Sequence, residues 1–164
     1  MMGQLKAKRH IKVTSRVRGH AMLELAICAG VLMMLLSGTF QFGYTFYLYN
    51  KLVTAVGNGA RYAAQRTYRS ATEKDVERGA AAIRNMVVFG DPQPLPETAP
   101  VVPNLRPEQI EVNWVKHGDG APATVSLAVR NYSVDAVFHA FSFDRRPMVE
   151  FPYIGRYAPA EREQ

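Results

Sequence analysis

The sequence predicts an α+β protein: a long N-terminal transmembrane helix that extends beyond the bilayer, a second short helix, and a small antiparallel β-sheet domain of two to three strands. Three observations predict it. No residue from Leu25 to Asn50 carries a formal charge, six prolines crowd into residues 91–107, and after them apolar side chains alternate with polar ones. The first pattern fits an apolar solvent, the second excludes regular structure, and the third marks half-buried strands.

The net charge of +6 sits at one end of the chain. Lys6, Lys8, Arg9, Lys12, Arg16 and Arg18 precede the first acid, and the other 14 Lys and Arg balance the 14 Asp and Glu. A basic arm directly before an apolar run is the positive-inside signature and assigns residues 1–19 to the cytoplasm. A nucleic-acid-binding arm would leave the apolar segment unexplained, so no nucleic acid is expected as a partner. The charge-free run would be about 39 Å long as a helix, against a hydrocarbon core of about 30 Å. Phe40, Phe42, Tyr44, Phe46, Tyr47 and Tyr49 crowd its far end, where rings and hydroxyls suit a membrane–water interface. A cleaved secretory signal has a shorter apolar stretch, and Leu25-Ala26-Ile27-Cys28 lies on the wrong side of the run for lipoprotein processing.

Helical spacing continues through Leu52, Val56, Ala60, Ala63 and Ala64, so residues 20–69 form one transmembrane and juxtamembrane helix, which Gly57-Asn58-Gly59 would kink or weaken. Thr72-Glu73-Lys74-Asp75 has the form of a capping box and Gly90 that of a stop, placing a second helix within 70–90, with Val76, Ala80, Ile83 and Val87 on one face. Residues 91–107 are a proline-rich surface linker. In the small sheet domain, 108–158, Ile110, Val112 and Trp114 form one strand and Val125, Leu127 and Val129 its hairpin partner across His117-Gly118-Asp119-Gly120. Val134, Val137, Phe138 and Phe141 have the spacing of a short helix over the sheet, and Met148, Glu150, Phe151 and Tyr153 add a third strand, which Pro147 and Pro152 would confine to an edge. A polar tail, 159–164, closes the chain.

No constellation for chemistry emerges. The four histidines are scattered, Cys28 is the single cysteine and lies in the apolar run, and no phosphate-binding glycine loop is present. No catalytic residue, metal site or cofactor is predicted, and the chain does not read as an enzyme. The informative stretch is Arg18-Gly19-His20-Ala21-Met22-Leu23-Glu24. A carboxylate deep in a membrane helix costs about 2.5–3.5 kcal/mol, less near the interface. Cutting after Gly19 would give His20 a new α-amine of pKa about 7.7–8.0, one helical turn from Glu24 and able to offset it, within the chain or in a neighbouring subunit.

Gly19 after a basic leader, with Glu24 as the fifth residue beyond it, resembles the processing site of type IV prepilins and pseudopilins. Phe40-Gln41-Phe42-Gly43-Tyr44, with Gly59-Ala60-Arg61-Tyr62-Ala63-Ala64 further on, is similar to TadE-like pseudopilins of the tight-adherence (Tad, Flp) pilus system. Neutral Gln41 stands where those proteins usually carry an acid. The resemblance implies cleavage between Gly19 and His20 by a prepilin peptidase, a role for Glu24 in helix registration and assembly, and Phe42, Gly43, Gly59, Ala60, Arg61 and Tyr62 as family-motif residues. It implies a minor assembly component of the bacterial inner membrane, single-pass, with a cytoplasmic N-terminus and a periplasmic or extracytoplasmic C-terminal domain, and extends to incorporation in the pilus itself. Its partners would be the peptidase, other pseudopilins, the major pilin and the inner-membrane assembly platform. The alternative is an anchored periplasmic binding or scaffold module that keeps its leader.

Overall fold

The computed structural model describes residues 16–69, 72–118, 120–134 and 140–158. The chain divides into two compact units, Met1–Phe40 and Gln41–Gln164. Helix α1, Arg16–Gln65, contributes to both. No proline interrupts it, and the hydroxyls of Thr39, Thr45 and Thr54 each donate to the carbonyl four residues earlier at 3.0 Å, so these polar groups find partners within the helix itself. The glycines at 57 and 59 do not break α1. In the first unit its side chains from Gly19 to Phe40 are exposed, apart from partly covered Gly38.

In the second unit, α1 buries Leu48, Leu52, Ala55, Val56, Ala60, Ala63 and Ala64, one stripe at three- and four-residue spacing. Helix α2, Glu73–Phe89, packs its own stripe, Ile83, Val87 and Val88, into the same core. Thr72 caps α2: its hydroxyl oxygen accepts from the Asp75 N–H at 3.2 Å, and the Asp75 carboxylate reaches back to accept from that hydroxyl at 2.8 Å. Gly90 ends it with φ +74°, its N–H donating to the Met86 carbonyl, a conformation that costs glycine little.

The sheet that completes the core has strand order β2-β3-β6, all antiparallel, from β2 Ile110–Lys116, β3 Pro122–Val129 and β6 Met148–Pro152. Register pairs Ile110 with Val129, Val112 with Leu127 and Trp114 with Val125, so the alternating residues share one face. Strand β6 is an edge, which is how it accommodates Pro152. The fold class is therefore the one predicted, with additions. A short parallel pair joins β1, Tyr68–Arg69, to β7, Tyr157–Ala158. A second hairpin pairs β4, Tyr132–Val134, with β5, Phe141–Phe143.

That hairpin corrects one expectation. Val134 and Phe141 lie on paired strands rather than on a helix; Val137 and Phe138 fall outside the described residues. Their apolar character is used, because Phe143 packs 5.5 Å from the Tyr49 ring and Phe141 lies 6.4 Å from that of Phe42. The proline-rich segment is also more than a surface linker. Val102 and Leu105 are buried, the Val101 N–H donates to the Val88 carbonyl at 2.8 Å, and the Tyr132 hydroxyl donates to the Pro103 carbonyl at 2.9 Å. It is a strap tied across the core, leading to a 3-10 turn at Pro107–Gln109.

Candidate functional site

The most unusual surface belongs to α1. Met22, Leu25, Leu32, Leu35 and Leu36 are all more than half exposed, Phe40 is 79% exposed, and the intervening apolar positions are similar. An apolar surface of this extent, continuous around a helix, marks contact with lipid or with other apolar helices. By length and composition, Gly19–Gln65 is the one helix among the described residues able to cross a membrane. Gly19, His20 and Glu24 are exposed at its start. Because α1 begins at Arg16, the Gly19–His20 peptide lies inside formed helix; a protease that reads an extended chain must unwind this turn, and glycine lowers the cost of doing so. Glu24 has no ion-pair partner among the described residues.

The motif residues divide into two groups. Phe42 is 69% exposed, and a Cβ at Gly43 would meet nothing. Gly59 is the opposite case: a Cβ there would run into Val87 of α2 and lie 3.3 Å from Leu127. Glycine at this point lets α2 approach α1, with Ala60 fully buried beside it. Arg61 is exposed, its guanidinium 5.9 Å from the centre of the Phe151 ring; Tyr62 is half-buried with the Arg66 guanidinium 5.4 Å above it. The candidate residues are thus strung along α1 and not gathered into a single cluster. Gly59 and Ala60 build the fold, whereas Gly19, His20, Glu24 and Phe42 remain on the surface. Among the described residues no group of three or more His, Cys, Asp and Glu could hold a metal ion.

Sequence reasoning missed the Tyr153 hydroxyl. It accepts from the Tyr68 N–H at 2.9 Å, and its single proton is shared between the carbonyls of Arg66 and Arg156, at 2.9 and 2.6 Å. This ties the end of α1 to the C-terminal strand. Burial raises the pKa of Tyr153 above its usual 10.0, against lowering by the Tyr68 hydrogen bond and by Arg66. Nothing in the local pattern marks such a long-range bond; only the concentration of tyrosines near the C-terminus hints at it.

The fold and this surface define a class: an α+β protein whose apolar N-terminal helix fits a single-pass membrane anchor. Within that class, residues 19–61 match the family model described as TadE-like protein. The resemblance carried by Gly19, Glu24, Phe42-Gly43 and Gly59-Ala60-Arg61 is found again over that stretch, which holds every candidate residue but Tyr62. No curated protein and no solved structure matches the chain.

Proposed function

We propose that the protein is a minor pseudopilin that acts in assembly of a tight-adherence pilus. The observation that carries this reading is the exposed apolar surface of α1 from Met22 onward, with a lone carboxylate, Glu24, at its start and five residues after Gly19. In this reading residues 1–19 hold the N-terminus in the cytoplasm until a prepilin peptidase removes them at the inner membrane. Cleavage leaves His20 with an α-amine that is largely charged near neutral pH, one turn from Glu24. Pairing with Glu24 of the same or a neighbouring helix offsets the cost of that acid in a low-dielectric setting and sets the register between subunits. The apolar surface of α1 then passes from lipid to other pilin helices, while the domain after Gln41 faces the extracytoplasmic side.

The test is the intact mass and N-terminal sequence of the protein from native membranes, with and without the host's prepilin peptidase, joined to the phenotype of Glu24→Ala. A peptidase-dependent start at His20, and loss of pili with membrane insertion intact in the variant, are expected. A mature chain still carrying residues 1–19 would leave only the anchored scaffold reading. Normal piliation in Glu24→Ala would remove the register role of the carboxylate.

A further inference from the structure

A cleft of about 360 Å³ opens between the end of α1, strand β1, the first half of α2 and Trp114 of β2. It lies entirely within the unit from Gln41 onward, and the pilus reading makes no use of it. Arg66, Arg69 and Arg78 line it, and Asp75 is the one acid among the described lining residues. Asp75 is already engaged by Thr72 and by Arg78 at 3.4 Å. Arg66 is held against the wall: its Nη1 donates to the Gly79 carbonyl at 3.0 Å and its guanidinium stacks over Tyr62. Its position is therefore set before any ligand arrives, which reduces the ordering cost of binding.

Apart from Thr67, the rest of the wall is apolar or aromatic. Tyr68 is buried 4.8 Å from Trp114, and Lys116 Nζ lies 5.4 Å above the Tyr68 ring, a further cation behind the three arginines. Gly79 leaves the floor open, since a Cβ there would meet no atom within 4 Å. Guanidinium forks recognise planar carboxylates through paired hydrogen bonds, and flat rings receive aliphatic side chains. The volume suits a few side chains, whereas a nucleic-acid backbone needs a basic track of many phosphate contacts, which three arginines and a lysine around one cleft do not supply.

We infer that this cleft is a docking site for an acidic segment of a partner protein, its carboxylates held by Arg66, Arg69 and Arg78 and its apolar residues against Trp114. The inference stands apart from the pilus reading, because it depends on neither leader cleavage nor assembly. Trp114 is the only tryptophan in the chain, so its emission reports occupancy directly. Full-length protein in detergent micelles is titrated with acetyl-Glu-Asp-Leu-Glu-Asp-Leu-amide, with the Gln/Asn version of that peptide, and with citrate. A saturable change in Trp114 emission with the acidic peptide alone is expected. It should weaken about tenfold or more in Arg69→Gln/Arg78→Gln, which removes two charge-assisted contacts at exposed positions. Gly79→Val, which fills the floor without changing charge, should also abolish it, with the unfolding midpoint of each variant kept near that of the parent protein. No saturable change, an equal response to the neutral peptide, or an unaltered response in the charge variant would overturn the proposal. Citrate binding as tightly as the peptide would make this a small-carboxylate site and would overturn the peptide partner.

Discussion

Helix α1 is one element in two environments. Up to Phe40 it is apolar on every side: Leu32 is 59% exposed and Met33 and Met34 more so. From Leu48 onward it buries apolar side chains along one stripe, and Leu52 is completely buried. Backbone hydrogen bonding does not distinguish the two stretches; what differs is the angular spread of apolar side chains. A helix apolar all round asks for an apolar solvent, whereas a stripe asks for a protein core. The comparison also accounts for the surplus length of the charge-free run. From Glu24 to Gln41 the helix rises about 26 Å, close to a hydrocarbon core of about 30 Å. The next ten residues are the ones that Phe141 and Phe143 partly cover, through Phe42 and Tyr49.

The sharpest way to break this comparison is to make the same substitution in both stretches. Leu52→Ala should destabilise the domain by about 2–5 kcal/mol, as burial of a whole leucine side chain dictates. Leu32→Ala should change domain stability by less than about 0.5 kcal/mol, because no core contact is lost. Urea denaturation in detergent micelles, followed by Trp114 emission, reads both. Equal losses would mean that the two stretches fold as one cooperative body.

The motif glycines offer the second contrast. Gly59→Val drives a side chain into Val87 and Leu127 and should cost about 1–3 kcal/mol in the same assay. Gly43→Ala meets no neighbour and should be neutral or stabilise α1 by up to about 1 kcal/mol. If Gly43→Ala leaves the fold intact but impairs piliation, its glycine serves contact with another subunit. If Gly59→Val is harmless, the close approach of α1 to α2 is not what holds glycine there.

The same contrast explains how much was legible beforehand. The buried stripe of α1, the cap at Thr72, the stop at Gly90 and the β2–β3 hairpin all follow from local spacing, and all are found. Gly57-Asn58-Gly59 reads as a weak point because propensity counts only what glycine costs the helix, not what its missing Cβ allows Val87 to do. Val134 and Phe141 read as a helix because two short strands of three residues leave too little alternation to separate the periods. Val102 and Leu105 were hidden by the prolines around them, since a strap is anchored by tertiary contacts and not by pattern. At the candidate site, Gly19 and Glu24 were legible as a spacing and a charge anomaly. The Arg66–Trp114 cleft was not, because it joins elements almost 50 positions apart in the chain.

The two helices also differ in how their ends are held. Helix α1 has no acid in its first turn and no base in its last, whereas α2 carries Glu73 and Asp75 at the start and a left-handed glycine at the end. The last turn of α1 is held by tertiary bonds instead, the Ile154 N–H donating to the Ala64 carbonyl at 3.0 Å and the Tyr153 hydroxyl to that of Arg66 at 2.9 Å. The shorter α2 relies on its own caps. Thr72→Ala should therefore cost about 1 kcal/mol, read as a shift in the urea midpoint, and Thr72→Ser should restore most of it. An unchanged midpoint would mean that packing of Ile83 and Val87 alone sustains α2.

The smallest effect expected is an alkaline one confined to the domain. Burial raises the pKa of both Tyr132 and Tyr153 above 10.0; a smaller contribution from Tyr44 adds to it at Tyr132, while the hydrogen bond from Tyr68 and the charge of Arg66 oppose it at Tyr153. A group held protonated by the fold contributes its stability in full below its unfolded pKa. That contribution is lost as pH rises past 10 toward the raised folded value, because the unfolded chain ionises first. The domain should therefore lose stability across this window. Tyr132→Phe/Tyr153→Phe should start less stable near neutral pH, lacking bonds to Pro103 and Arg66, yet decline less steeply above pH 10. Urea midpoints measured from about pH 8 to about pH 11 give the two slopes, with lysine ionisation common to both proteins. Parallel slopes would mean that these hydroxyls meet water freely enough to ionise in place. The bond from Tyr153 to the end of α1 would then be a consequence of the fold rather than one of its supports.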